Sequence, residues 1–416
     1  MKAKYILMAG LAALAVFSCS KRDDIPPEPE PPVNPLPPAK VVSTTHDGAY
    51  KMTVCAIEYP SVDPDGNPAT LSAIITYGDE INEKSPARGI VLMNRFTAAG
   101  LADSPSGGCL YGAKLLAGSR LVCVSPDLYG FGSTKDKMQA YCLGNTNAQA
   151  SIDALLAAQE LLEGMGIPFE PGKMNRIFNI GYSQGGQTAI GVLKLAAEKY
   201  PDIHFTHTFA GSGPYDMFET FRSLSRPEEV SYHPASVVLS LVAYNEYYHL
   251  GYTLEDLFQP SAIEPIEKYI LSKEYTRMQL YEYFPAQRMN QFVNSDFFNM
   301  DSEISKRFTE VFRKENFCTG WIPRKEERIL LFSNPRDEVV PVSNTRSLYH
   351  FLVDEHALPH VEWYNASGVS IVVPDSVFRH TAAVADFGLY CATVLGKYYD
   401  IVWLPKIAQL IEELLV

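Results

Sequence analysis

The chain has 416 residues, of which 46% are hydrophobic and 20% charged, and its formal net charge is -13. That is enough apolar material for one large globular domain or two ordinary ones. The acidic balance, with no cluster of Lys and Arg, leaves no electrostatic footprint for nucleic acid, so no nucleic-acid partner is expected.

MKAK sets positive charge before YILMAGLAALAVF, an apolar stretch too short for a stable membrane span and of the length of a secretory signal. VFSC then places Cys19 directly behind it, which resembles a bacterial lipobox. The expectation is a lipoprotein signal peptide over residues 1–18, lipidation of Cys19, and a membrane anchored through that lipid. SKRDD follows and is similar to the acidic export signal of some bacterial surface lipoproteins. This implies an exported lipoprotein of the bacterial outer membrane, displayed at the cell surface. Eight prolines between Pro26 and Pro38 exclude helix and central strand, so residues 19–40 read as a polyproline stalk. At about 3.1 Å per residue its proline run holds the folded part on the order of 50 Å from the anchor.

Six cysteines follow Cys19: Cys55, Cys109, Cys123, Cys142, Cys318 and Cys391. Their spacing shows no CxxC metal signature, and no metal is expected. Cys123, inside RLVCVSP, reads as a buried thiol, whereas Cys109 and Cys142 stand in Gly-bearing contexts where a bridge would fit.

From residue 41 the pattern is strand-like, with KMTVCAIEYP and ATLSAIITYG flanking the turn-rich SVDPDGNP as a hairpin with an extended loop. GIVLMN, RLVCVSPD, NRIFNIG and FTHTFAGSG are short apolar strands. They alternate with helical patterns in YGAKLLAGS, NAQASIDALLAAQELLEGMG and QTAIGVLKLAAEKYP. Short continuous apolar strands between helices indicate an α/β fold with a mostly parallel sheet and helices on both faces. The alternation stops at residues 215–320, where VVLSLVAYNEYYHLGY, TLEDLF, AIEPIEKYILSKEY and DSEISKRFTEVFRKE read as helices and where ten Tyr and ten Phe stand. Such a segment needs large side chains for its own core, and as a lid it would also line a substrate cavity. ERILLFSN, SNTRSLYHFLVDEHA, HVEWYNAS and TAAVADFGLYCATVLGKYY resume the alternation. The core therefore divides into residues 41–214 and 321–416, with the helical lid over 215–320 inserted between them.

GYSQGG at 181–186 ends one strand and opens a helix, the setting of a nucleophile elbow. A turn that tight admits only small residues at Gly181 and Gly185. It forces Ser183 into strained geometry with its hydroxyl above the sheet, where the amide of Gln184 can stabilise an oxyanion. A serine hydroxyl needs a histidine base, and that base needs a carboxylate to set its tautomer. In the chain order Ser, acid, His the candidates are His350, His356, His360 and His380. His350 and His356 fall on a helix and His360 enters a strand. His380 ends a loop and opens the last helix, which favours it. Asp337 lies in ILLFSNPRDEVVP just past a strand and is the expected acid. Glu338 is its nearest rival, and Asp375 would have to fold back sharply over five residues. The second oxyanion amide is assigned to Thr97 or Phe96, in the loop after GIVLMN. Asp127, in SPDLYGFGST, precedes the serine and is expected to organise that loop.

These residues resemble the α/β-hydrolase superfamily, and within it the secretory lipase family and related bacterial esterases. The resemblance rests on GYSQGG, PDLYGFGST, NAQASIDALLAAQ, NPRDEVVP and His380, and covers roughly residues 50 to 400. It implies an α/β-hydrolase fold and cofactor-free hydrolysis of carboxylic esters under a helical lid. Where related bacterial members often carry H-G-T, this chain has Arg95, Phe96 and Thr97. The expected activity is a serine esterase or lipase acting through an acyl-enzyme on Ser183, Asp337 and His380, with no cofactor. Its partner is a small-molecule, lipid or glycan ester. A serine aminopeptidase is the alternative, requiring a carboxylate pair in the lid such as the adjacent Glu228 and Glu229. A catalytically inactive surface binding protein is a further one.

Overall fold

The computed structural model describes residues 36–116, 118–371 and 378–399. The signal peptide, Cys19, most of the stalk and Asp375 lie outside them. The chain enters as an antiparallel meander of β1 (Lys40–Asp47), β2 (Met52–Val62) and β3 (Pro68–Gly78). The β2–β3 connection is tighter than the extended loop expected, because pairing continues to Val62 and Pro68. Asp63 closes it, Oδ1 accepting the amides of Asp65 at 3.0 Å and Asn67 at 2.8 Å.

Next come β4 (Gly89–Asn94), α1 (Tyr111–Leu116), β5 (Leu121–Pro126), α2 (Gly144–Gly164), β6 (Ile177–Tyr182), α3 (Gln184–Lys199) and β7 (Phe205–Gly211). Between β7 and the next strand of the sheet stand α4 (Met217–Leu224), β8 (Val230–Ser231), α5 (Pro234–Tyr247), α6 (Leu254–Leu257), α7 (Pro260–Pro265), α8 (Arg277–Tyr283), β9 (Gln287–Arg288) and α9 (Glu303–Phe312). The chain returns through β10 (Ile329–Ser333), α10 (Val342–Tyr349), β11 (Val361–Asn365) and α11 (Arg379–Tyr399).

Among the described residues nine strands form one sheet in the order β1-β2-β3-β5-β4-β6-β7-β10-β11, parallel from β5 to β11. Successive residues sort to opposite faces, as strand geometry requires. Ile90 and Leu92, Val122 and Val124, and Ile329 and Leu331 join the core that holds α2 and α3. Val91, Leu121, Cys123, Leu330 and Phe332 join the core built with Ala383, Phe387 and Leu395 of α11. Burial on both faces explains why these strands read as unbroken apolar runs.

The inserted segment extends the core on the α2 and α3 face of the sheet with a cluster of aromatic rings. Phe221 of α4 lies 4.8 Å from Phe312 of α9 between ring centroids, Phe297 lies 5.1 Å from Phe308, and Tyr244 of α5 lies 4.5 Å from Phe312. It is not wholly helical as expected: β8 and β9 pair antiparallel, Val230 with Arg288 and Ser231 with Gln287. Two helices absent from the sequence reading, α4 and α8, span only eight and seven residues, and local caps define them. Asp216 accepts the Glu219 amide at 3.0 Å, and Thr276 accepts that of Gln279 at 3.3 Å. Among the described residues no helix is long and apolar enough to cross a membrane.

Candidate active site

Ser183 sits between β6 and α3 with φ 57 and ψ -124, a conformation a serine adopts only when its surroundings hold it there. Both flanking glycines are required. A Cβ on Gly181 would stand 2.0 Å from the Gly185 carbonyl oxygen, and one on Gly185 would stand 2.2 Å from that of Asn94. The second close approach also presses the start of the Arg95–Phe96–Thr97 loop against the elbow. The Ser183 amide donates to the Gly211 carbonyl at 2.8 Å, tying the turn to β7.

His380 opens α11 and reaches back over the sheet. Its Nε2 lies 2.8 Å from Ser183 Oγ and its Nδ1 lies 2.7 Å from Asp337 Oδ2. Asp337, one turn past β10, has its other oxygen occupied: Oδ1 accepts the amides of Val339 at 3.0 Å and Val340 at 2.8 Å. That leaves Oδ2 aimed at the imidazole. Burial pulls the His380 pKa down, but the charge and hydrogen bond of Asp337 outweigh it, and the net shift is upward. Glu338, the rival candidate, meets the His380 backbone instead. Its two oxygens each accept the His380 amide at 3.2 Å, which secures the N-terminus of α11, and burial together with Asp337 raises its pKa. Tyr182 adds a further tie, its hydroxyl donating to the His380 carbonyl at 2.8 Å.

The other histidine candidates lie elsewhere. His350 pairs with Asp354 at 2.7 Å on an exposed helix, His356 packs on Phe351, and the His360 carbonyl accepts the Ile329 amide. Gln184 is the first residue of α3, where a helix leaves its amide without an intrahelical acceptor. Phe96 and Thr97 line a pocket with Ser183 and His380. Arg95 points away from the serine, Nε donating to the Asp127 carbonyl at 2.9 Å and the guanidinium lying 4.4 Å over the Phe131 ring. Asp127 is fully buried and organises its loop. Oδ2 accepts from Ser72 Oγ at 2.6 Å and Oδ1 from the Ser106 amide at 2.8 Å.

Among the described residues two cavities meet at Ser183. One, of about 60 Å³, runs beneath α4 and α5 and is walled mainly by Met217, Phe221, Leu224, Val237, Leu241 and Phe312. The other lies against His380 and is lined by Phe96, Thr97, Ser236, Arg277 and Thr381. His233, which the sequence reading did not single out, lines both. Its Nδ1 bonds Ser236 Oγ, and burial, with His380 and Arg277 nearby, pushes its pKa down to about 3, so it faces the site as a neutral ring. Arg277 was also missed: it stands on α8, and a lone Arg in RMQLYEY carries no local signal.

Glu228 and Glu229 do not reach the site. Glu228 pairs with Arg288 at 3.3 Å on the surface. The Cys109–Cys142 bridge does not form, and Cys142 is buried as a thiol beside Tyr141. Cys123 is a buried thiol, its pKa pushed up to about 12 by burial. Among the described residues no group of His, Cys, Asp and Glu is arranged to hold a metal ion.

The model of the secretory lipase family matches residues 112–370, more than half of the chain. Solved structures share the fold. A hydrolase from Legionella pneumophila is 20% identical with a TM-score of 0.68, covering 89% of each chain. The rice cell wall degrading esterase LipA from Xanthomonas oryzae, in a ligand-bound form, is 18% identical with a TM-score of 0.70, covering 88% of this chain and 98% of its own. Candida antarctica lipase A is 13% identical with a TM-score of 0.57, covering 79% and 75%. No curated protein matches the chain.

Proposed function

We propose that this chain, which belongs to the secretory lipase family and so is a hydrolase of lipase or esterase type, cleaves carboxylic esters through an acyl-enzyme on Ser183. The supporting observation is the continuous contact from Ser183 Oγ to His380 Nε2 at 2.8 Å and from His380 Nδ1 to Asp337 Oδ2 at 2.7 Å. His380 takes the hydroxyl proton as Ser183 attacks the carbonyl. Asp337 holds the tautomer and stabilises the imidazolium. The amides of Gln184 and of Thr97 or Phe96 receive the oxyanion, and His380 returns the proton to the leaving oxygen before water deacylates the serine.

The acyl group occupies the cavity beneath α4 and α5, because its walls are apolar while His380 lines the other pocket. At roughly 10–15 Å³ per water-sized occupant, a cavity of about 60 Å³ accepts on the order of four to six heavy atoms, a short acyl chain. Export suits the family, and we extend this to a lipoprotein held through Cys19 at the outer membrane.

The test is a p-nitrophenyl ester series from acetyl to palmitoyl beside aminoacyl-nitroanilides, with wild type and Ser183→Ala. Ester turnover that peaks at short chains and vanishes in the variant is expected. Anilide turnover alone would replace the esterase with a peptidase, and turnover on neither panel would turn attention to a binding protein.

A further inference from the structure

The pocket on the His380 side contains a cation, Arg277, for which the described residues provide no ion pair. Arg277 is nine-tenths buried, and its guanidinium lies 4.5 Å over the Phe96 ring, which fixes it beside the oxyanion loop. Among the described residues the guanidinium makes no ion pair and no hydrogen bond. The acid that Arg277 does meet is met by its backbone. Asp103 Oδ2 accepts the Arg277 amide at 2.7 Å, together with those of Ala99 at 3.0 Å and Gly100 at 3.1 Å. Glu338, the carboxylate closest in sequence to the triad acid, is engaged by the His380 amide. A guanidinium held on an aromatic face in a substrate pocket presents a fixed fork of donors, so an anion there would complete the site.

The reaction says which part of the substrate carries that anion. His380 must deliver its proton to the leaving oxygen, so the alcohol portion lies against His380, and Arg277 shares the pocket that His380 and Thr381 line. The polar neighbours agree: Thr97 Oγ1 lies 2.9 Å from the Tyr141 hydroxyl, and Tyr141 and His233 both bond Ser236. Resting on the ester-hydrolase reading above, we propose that the natural substrate is a short-acyl ester whose alcohol portion bears an anionic group, carboxylate, sulfate or phosphate, bound by Arg277.

The experiment compares 3-acetoxybenzoate with its methyl ester, which differ in that charge and share the acetyl group, in wild type, Arg277→Met and Arg277→Lys. Taking the ratio of kcat/KM for the anion to that for the methyl ester and comparing it between variants cancels the intrinsic difference in leaving group. A charge-assisted hydrogen bond of this kind corresponds to roughly 10- to 100-fold. We expect the ratio to fall by about 30-fold in Arg277→Met, chiefly through KM, and to recover in part in Arg277→Lys. 3-Acetoxyphenyl phosphate, run in parallel, distinguishes a phosphate site from a carboxylate site by its larger ratio. If Arg277→Met does not fold, competitive inhibition of the wild type by benzoate over benzamide, weakened by 0.5 M salt, replaces it. A ratio unchanged within twofold, or equal inhibition by benzoate and benzamide, overturns the proposal. Failure of wild type on every ester, p-nitrophenyl acetate included, would instead remove the reading on which it rests.

Discussion

The sheet and the segment inserted between β7 and β10 build opposite halves of one site by different physics. At the sheet, Ser183 and the Arg95–Thr97 loop sit immediately after β6 and β4, and Asp337 one turn after β10, where Val339 and Val340 hold it locally and Gly181 and Gly185 shape the elbow. In the insertion, His233 bonds the nearby Ser236, while Arg277 takes its position from Asp103 and Phe96, far away in sequence. Lys273 is the clearest case. Its ammonium crosses to the loop after β5 and donates to the carbonyls of Gly130 at 2.7 Å and Lys135 at 2.9 Å, and to that of Lys137. Backbone geometry beside the strands sets Ser183 and Asp337, and long-range contacts set His380 and Arg277.

That division can be broken from either side. The largest effect is expected from Ser183→Ala, a loss of about 10⁴-fold or more in kcat for every ester, whatever its acyl or alcohol portion. A uniform loss is the signature of the sheet half.

Asp337→Asn should lower kcat by about 10⁴-fold. It should also move the pH profile. The charge of Asp337 raises the His380 pKa, so the wild-type acid limb lies above that of an ordinary histidine, with activity lost as pH falls and the imidazole protonates. Removing the charge should carry that limb to lower pH. His233, pushed down to about 3, should add no second limb in the neutral range. A profile with two limbs between pH 5 and 8 would contradict this.

Lys273→Met strips donors from buried carbonyls and should cost about 1–3 kcal/mol, read by chemical denaturation, with kcat on p-nitrophenyl acetate changed less than fivefold. A larger fall in kcat than in stability would mean that the insertion shapes the chemistry as well as the specificity.

The smallest effect belongs to the cavity wall. Leu224→Ala, at the end of α4, should lengthen the preferred acyl chain, raising hexanoyl relative to acetyl by about fourfold for each methylene newly buried.

Sequence legibility followed the same line. The parallel sheet was legible because strands buried on both faces leave continuous apolar runs, and β5, β6 and β10 are buried at every position. GYSQGG was legible because a turn with under 3 Å of clearance admits only glycine. His380 was reached by weighing helix and strand positions against a loop end, and Asp337 by its place after β10. The β8–β9 ribbon was not legible, since two-residue strands have no period. Nor was the engagement of Glu338 with the His380 amide, which joins residues 42 apart.

What the sequence determined by itself was therefore the set of local features: strands, helices, the elbow, the acid loop and the residue types able to act there. These follow from periodicity and backbone sterics, which operate over a few residues. Only the tertiary structure decided that Glu338 meets the backbone of His380, that a neutral His233 lines both cavities, and that Arg277 beside them meets no counter-charge among the described residues. Those outcomes depend on burial and on distances between segments far apart in the chain, and no short window of sequence contains them.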